Sequence, residues 1–243
     1  MPELTNKPLY YLPLVDTLMG TDPPVSWIVP DFIPAGTLIA LAGEAGIGKS
    51  FLFYTLGMAL ACGRPVLDWE ITRPHRVLYF DHENSKPDSI QYLRWVWHAL
   101  GCPNPALLEQ HFRFSPFTLG TPDWAARLDA FIHECQPELI ILDTATPVCG
   151  IQDENDNAEA ARIITQLRWL MSRTSPTATC VVLKHAKVLP DGTNYTIRGA
   201  KTWISAPDQV VYHLGCRGRP PKALTNEGLK MTRLVPHKRR AFA

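Results

Sequence analysis

Lys49 and Ser50 stand side by side, and the six residues before them are Gly43, Glu44, Ala45, Gly46, Ile47 and Gly48. The octapeptide fits G-x-x-x-x-G-K-[ST], the spacing of a phosphate-binding loop. Its glycines let successive backbone N–H groups close on a polyphosphate. Lys49 supplies a point charge for the β- and γ-phosphates, and the Ser50 hydroxyl offers an oxygen to Mg²⁺. Phe51 continues into the next turn, where the start of a helix adds its positive dipole end. Such a loop works only between a strand and a helix. The apolar run Leu38–Ala42 predicts the strand, and Ser50–Cys62 predicts the helix.

Open α/β sheets gather function at the carboxyl ends of their strands, so the residue after each apolar run is informative. Leu139–Asp143 reads L-I-I-L-D, a strand with an acid at its tip, and Asp143 is the expected Mg²⁺ partner of Ser50. Val77–Asp81 is followed by His82, Glu83 and Asn84. A carboxylate here can polarise an attacking water, and both Asp81 and Glu83 qualify; capping of the helix that follows is the simpler role. Val181–Lys184 leads into His185, placed to sense a γ-phosphate and shift the next loop. Two long polar stretches follow these strands. Thr146–Asn157 is acidic, with Asp153, Glu154 and Asp156. Val188–Ala206 sets Arg198 and Lys201 beside Tyr195 and Trp203, and Lys187 just precedes it; cations among stackable rings suit single-stranded nucleic acid.

The elements that must position these groups alternate. Strands are expected at Leu38–Ala42, Arg76–Asp81, Leu139–Asp143 and Cys180–Lys184, and helices at Ser50–Cys62, Asp88–Leu100, Thr121–Cys135 and Ala158–Ser172. That rhythm predicts an α/β fold with a mostly parallel sheet and helices on both faces. Gln209–Leu214 and Gly228–Leu234 predict a C-terminal antiparallel strand pair. A proline-punctuated arm over 1–30, with a short apolar helix around Tyr10–Leu18, precedes a domain over 31–235; 236–243 is a basic tail. The 243 residues carry a net charge of +1, so any nucleic-acid surface must be local. Six scattered cysteines form no C-x-x-C and no zinc spacing, which fits free thiols in a reducing compartment. No apolar run reaches the ~18–20 residues of a membrane span, and residues 1–30 lack a signal peptide, so a cytoplasmic protein with no membrane partner is expected.

The ordered set of motifs resembles a known family. From Trp27 the chain reads W-I-V-P-D-F-I-P-A-G-T-L-I-A-L-A-G-E-A-G-I-G-K-S, followed by A-L-A-C-G-R-P-V-L-D. V-L-Y-F-D-H-E-N (77–84), L-I-I-L-D-T (139–144), V-V-L-K-H-A-K (181–187) and R-G-A-K-T-W (198–203) come next. Together they resemble the RecA-like AAA_25 ATPases, a group that includes plasmid RepA-type hexameric replicative helicases, relatives of DnaB-type helicases. The resemblance implies a RecA-like P-loop NTPase core that uses ATP and Mg²⁺. It implies that Glu83, in the arrangement Y-x-x-x-E, is the catalytic glutamate in preference to Asp81. It makes His185 the phosphate sensor and sets the loop around Arg198 and Gly199 against a ring's central channel. It further implies a homo-oligomer, a six-membered ring on single-stranded DNA, in which a neighbour completes each nucleotide site. Arg233 fits the arginine of the K-x-R finger on the last strand; Met231 stands at the lysine position, with Lys230 displaced by one.

Two basic features remain. Arg217-Gly218-Arg219-Pro220 has the core of a minor-groove hook, although a hairpin loop explains it as well. His237-Lys238-Arg239-Arg240 reads as a solvated end. The expected function is a Mg²⁺-dependent ATPase acting as a ring helicase or translocase on single-stranded DNA, in replication of a plasmid, phage or mobile element. The alternative is an ATP-dependent switch or loader that assembles without unwinding. A small-molecule kinase is the weakest reading.

Overall fold

Strands that are apolar along their whole length must be covered on both sides, and here they are. A computed structural model describes residues 25–101, 104–115, 123–174, 176–188, 195–215 and 232–239. The elements in chain order are β1 (Trp27–Val29), β2 (Ile33–Pro34), β3 (Leu38–Gly43), α1 (Lys49–Cys62), β4 (Val77–Asp81), α2 (Lys86–Leu100), α3 (Pro105–His111) and β5 (Phe112–Ser115). They continue with α4 (Trp124–Cys135), β6 (Leu139–Asp143), α5 (Ala145–Val148), α6 (Asn157–Met171), β7 (Thr179–Val188), β8 (Tyr195–Ile197), α7 (Thr202–Ser205), β9 (Gln209–Gly215) and β10 (Thr232–Arg239).

The main sheet has the order β10-β9-β3-β7-β6-β4-β5, with β8 added to β7. Strands β3, β4, β5, β6, β7 and β9 run parallel; β8 and β10 pair antiparallel. Helices cover both faces. One core joins α1 and α2 residues to Ile39, Leu41, Tyr79, Ile141 and Leu183, and the other joins α4, α6 and α7 residues to Ala40, Phe80, Leu142 and Val182. Alternate residues along each strand therefore serve opposite cores. Helix α1 is buried on most sides, between the sheet and the helices α2 and α3. That explains why its sequence is apolar almost throughout.

The α/β architecture with its mostly parallel sheet and antiparallel β9–β10 pair is the one the sequence predicts. Several local expectations are corrected. The strand expected at Cys180–Lys184 runs from Thr179 to Val188, because β8 pairs with its last three residues. The stretch 188–206, expected to be a loop, contains β8 and α7, and the acidic stretch 146–157 begins inside α5 and ends at the start of α6. Strand β5 and helix α3 were not expected; the only trace is the alternating pair Phe112 and Phe114. The last strand takes in Thr232–Arg239, past the expected end at Leu234; residues 228–231, where it is expected to start, lie outside the described residues. His237, Lys238 and Arg239 thus belong to an edge strand that pairs with β9, where His237 meets the Tyr212 ring edge-on at 5.3 Å. The hairpin β1–β2 starts inside the expected arm, with Val29 and Ile33 fully buried. The predicted helix around Tyr10–Leu18, the motif Arg217–Pro220 and the pair Lys230–Met231 lie outside the described residues.

Asp208 ties three elements together. It accepts the Leu38 amide at 2.9 Å and a bidentate pair of bonds from Arg168 at 2.9 and 3.0 Å. This joins α6 to the starts of β3 and β9. Bidentate guanidinium–carboxylate geometry is strong, but the guanidinium is 38% exposed and solvent screens it. Arg168→Ala should therefore lower stability by no more than about 1 kcal/mol, read as a lower urea midpoint at unchanged m.

Candidate functional site

Register brings the polar strand ends together. Gly43 is opposite both His185 and His213, and Asp81 is opposite Asp143. All five stand at the carboxyl edge of the parallel strands, above the start of α1. A Cβ on Gly43 would lie 2.6 Å from the His213 carbonyl oxygen, so no other residue fits between β3 and β9 there. Gly48 starts α1 at φ 96°, a backbone that favours glycine. Helix α1 has no side-chain cap at this end, which leaves its first N–H groups to a ligand.

Lys49 is nearly fully buried and folds into the loop it closes. Its Nζ donates to the carbonyls of Gly43 at 3.1 Å and Glu44 at 3.0 Å. Burial lowers its pKa, opposed by the negative charges of Glu83 and Asp143.

Asp143 is fully buried. Tyr79 donates to its Oδ2 at 2.7 Å. Its Oδ1 accepts no hydrogen bond of ordinary geometry from the described residues, although the Ser50 hydroxyl is near enough to lower the carboxyl pKa. Burial outweighs both hydroxyls and, with Asp81 and Glu83 nearby, pushes this pKa up to about 7. An orphaned carboxylate oxygen beside a serine hydroxyl fits hydrated Mg²⁺, which takes one or two protein ligands and completes its shell with phosphates and water. Among the described residues no group of three His, Cys, Asp or Glu could hold a metal by itself.

The two carboxylates at the end of β4 and just past it have separate fates. Asp81 is fully buried and saturated. Its Oδ2 accepts from the Tyr54 hydroxyl and from Ser89 Oγ at 2.7 Å; its Oδ1 accepts the amides of Glu83 at 3.0 Å and Asn84 at 3.1 Å. It shapes the turn into α2 and has no lone pair left for water. Glu83 is 36% exposed, with Oε1 3.8 Å from His185 Nε2. Burial and the Lys49 charge lower the His185 pKa, against the pull of Glu83, so the imidazole is mainly neutral at neutral pH. The geometry therefore favours Glu83 over Asp81 as the base.

Two tyrosines were missed by sequence reasoning. Tyr54 and Tyr79 stack at 4.9 Å, and each delivers its hydroxyl to one of the buried acids. Burial raises the pKa of both phenols, so both remain donors. Tyr79 shares a strand face with Asp81 by period two, but only the tertiary fold shows that it serves Asp143. Phe51 is half exposed, edge-on to Tyr92. Lys187 and Lys201 are exposed, as is Arg198; Lys187 stands on β7 itself, opposite Thr196, and not in a loop. Arg233 lies on the edge strand β10, opposite Leu214 and two strands from β3.

A family model described as an AAA domain, AAA_25, matches residues 5–190, more than half of the sequence. The chain belongs to the AAA_25 family. Among solved structures it is similar to a KaiC-like protein of the hyperthermophilic archaeon Pyrococcus horikoshii. The likeness covers 88% of this chain and 83% of that one, at 14% identity and a TM-score of 0.54. At that identity it speaks for the fold alone. Family, fold and phosphate loop together make this AAA_25 chain a RecA-like P-loop ATPase. No helix among the described residues is long and apolar enough to cross a membrane.

Glu83→Gln should retain nucleotide binding and lower turnover by about 10²–10⁴-fold, the usual contribution of a general base. Asp81→Asn should act on the fold, with a loss of about 1–3 kcal/mol from unmatched buried donors. Parallel turnover assays and urea melts separate the two.

Asp143 makes a pH prediction. Its folded pKa, about 7, lies above the ordinary value of 3.8. The native state then keeps a proton that the unfolded chain has shed, so ionisation of this group erodes stability as pH rises from about 4 to about 7. Without nucleotide and metal, Asp143→Asn should be more stable than the wild type at pH 8, by on the order of a few kcal/mol. The difference should shrink on acidification toward pH 4, as followed by urea unfolding with a chelator present.

Proposed function

We propose that this AAA_25 ATPase is a Mg²⁺-dependent, ring-forming motor that acts on single-stranded DNA, in the manner of RepA-type and DnaB-type helicases. The loop Gly43–Ser50 and the first turn at Phe51 bind the ATP phosphates. Lys49 balances β- and γ-phosphate charge. Ser50 and Asp143 would hold the ion, which supplies further neutralising charge at those oxygens when bound. Glu83 orients the attacking water and takes up its proton. His185 reads the presence of the γ-phosphate. Arg233, on an edge strand, serves the nucleotide of a neighbouring copy. A finger supplied in trans is worth about 10³–10⁵ in rate in GTPases, so turnover depends on assembly.

One observation carries the reading beyond hydrolysis. The Arg198 amide donates to the His185 carbonyl at 2.8 Å, so the basic segment is fastened directly to the strand end that faces the nucleotide. Arg198, Lys187 and Lys201 supply three exposed cations on and beside this segment, on a chain whose net charge is only +1. Such cations suit a polynucleotide backbone. A kinase needs no such link between phosphate sensor and basic loop. Replication of a plasmid, phage or mobile element is the setting that the helicase resemblance suggests.

ATP hydrolysis should rise several-fold with single-stranded DNA, and light scattering should find a hexamer in the presence of ATP. A monomer indifferent to DNA would sink the motor. A DNA-bound assembly that turns over ATP but separates no duplex would favour the switch or loader.

A further inference from the structure

The mechanism leaves one buried cation without a task. Lys184 is 2% exposed, yet it sits next to His185 on β7, level with the end of β3. Neighbours on a strand point to opposite faces. His185 faces Glu83 on the side of α1, and Lys184 faces the side of α6 and α7, with Nζ 5.1 Å from the centre of the Trp203 ring. The strand end thus touches the nucleotide site with one residue and the paired polar segments with the next.

A chain of contacts leads outward from Lys184. Its Nζ donates to Thr146 Oγ1 at 3.2 Å, and Thr146 Oγ1 donates to Glu154 Oε1 at 2.8 Å. Glu154 Oε2 lies 3.4 Å from Arg198 Nε. The Glu154 main chain takes part too, since its carbonyl accepts the Ala200 amide at 2.6 Å. Gly199 between them has φ +100°, and a Cβ there would lie 2.4 Å from the Glu154 carbonyl oxygen. Only glycine permits this approach. Asn157 closes the far end, where its Oδ1 accepts the Thr202 amide at 3.1 Å. The acidic segment after β6 and the basic segment after β7 are therefore latched together, with Glu154 at the centre.

We propose that Lys184, Thr146 and Glu154 are positioning residues of a latch that holds Arg198 against an internal carboxylate until triphosphate at His185 releases it. The inference rests on the proposed role of His185 as a nucleotide sensor. It adds a second route, through side chains, to the single backbone bond between His185 and Arg198. The two ends of the latch differ in a way that suits release. Arg198 is 67% exposed, so its pairing with Glu154 is weak in water and a nucleic-acid phosphate can replace the carboxylate. The inner end is buried. Burial disfavours the Lys184 charge, and Glu154 is the group that chiefly sustains it. Loss of Glu154 from the latch therefore alters the strand end next to His185, and a shift at His185 alters the hold on Glu154.

Hydrogen exchange on the full chain tests this without DNA. In the wild type, a non-hydrolysable ATP analogue should speed exchange in both 146–157 and 195–206, by about threefold or more at the Ala200 amide relative to ADP. In Lys184→Met and in Glu154→Gln that amide should exchange fast whatever the nucleotide, with analogue affinity within about twofold of the wild type. Lys184→Met replaces a buried charge with an apolar chain of similar volume, a change that proteins commonly tolerate. Glu154→Gln, at a half-exposed position, stands in if the first variant does not fold. Nucleotide-sensitive exchange in 195–206 alone, or a wild-type response in a folded variant, overturns the latch and leaves the backbone link standing. If neither segment of the wild type responds to nucleotide, the sensor role of His185 fails, and the latch with it.

Discussion

Parallel strands covered on both faces leave polar side chains one place to go. Within the sheet a charge would lie between two apolar cores, so the acids, the histidines and the buried lysine emerge only at the strand ends. Register then decides which of them meet. With β3 between β7 and β9, and β4 beside β6, the loop glycine, two histidines and two aspartates share one edge. The close contact of Gly43 with the His213 carbonyl fastens the phosphate loop to that edge.

The edge is polar but not comfortable. Asp143 and Lys49 are both buried, and burial pushes each toward its neutral form. Asp81 shows what a settled acid looks like there, with both oxygens filled by hydroxyls and amides. Asp143 has only one oxygen so satisfied. Asp81 is spent on shaping a turn and can be saturated, whereas the bare oxygen of Asp143 is what the proposed ion would use. The stacked tyrosines Tyr54 and Tyr79 hold both arrangements in place from below. Stability given up at a site of this kind is a common cost of function.

On the far side of the same strands, the segments after β6 and β7 form a second polar layer. The two layers meet at β7, where His185 and Lys184 point apart. A strand whose last residues face both layers needs no long pathway to connect them, because side-chain alternation does so within one residue step. The coupling proposed above needs a junction of this sort, and β7 offers one in a few named contacts.

Local sequence determined a good deal. Gly43–Ser50 specified the phosphate loop because its chemistry depends on adjacent residues. Leu139–Asp143 and Val77–Asp81 specified strands with acids at their tips because a doubly covered strand is an unbroken apolar run. Glu83 rose above Asp81 by resemblance, while the exhaustion of Asp81 by Tyr54, Ser89 and two amides became visible only in the fold. Sequence could not find β5, a short edge strand held by β4, nor the extension of β7 paid for by β8. It ended β10 at Leu234, whereas pairing with β9 carries the strand on through the basic residues to Arg239. The tyrosine pair and the Lys184–Thr146–Glu154 chain were equally hidden. Tyr79 and the Asp143 it serves lie 64 residues apart, and Lys184 and Thr146 lie 38 apart; distance in sequence carries no sign of which side chains a crossover will bring together. Motifs are local because a phosphate contacts a few consecutive backbone groups. The contacts that tune and connect them are tertiary because they run between strands that only the sheet makes neighbours.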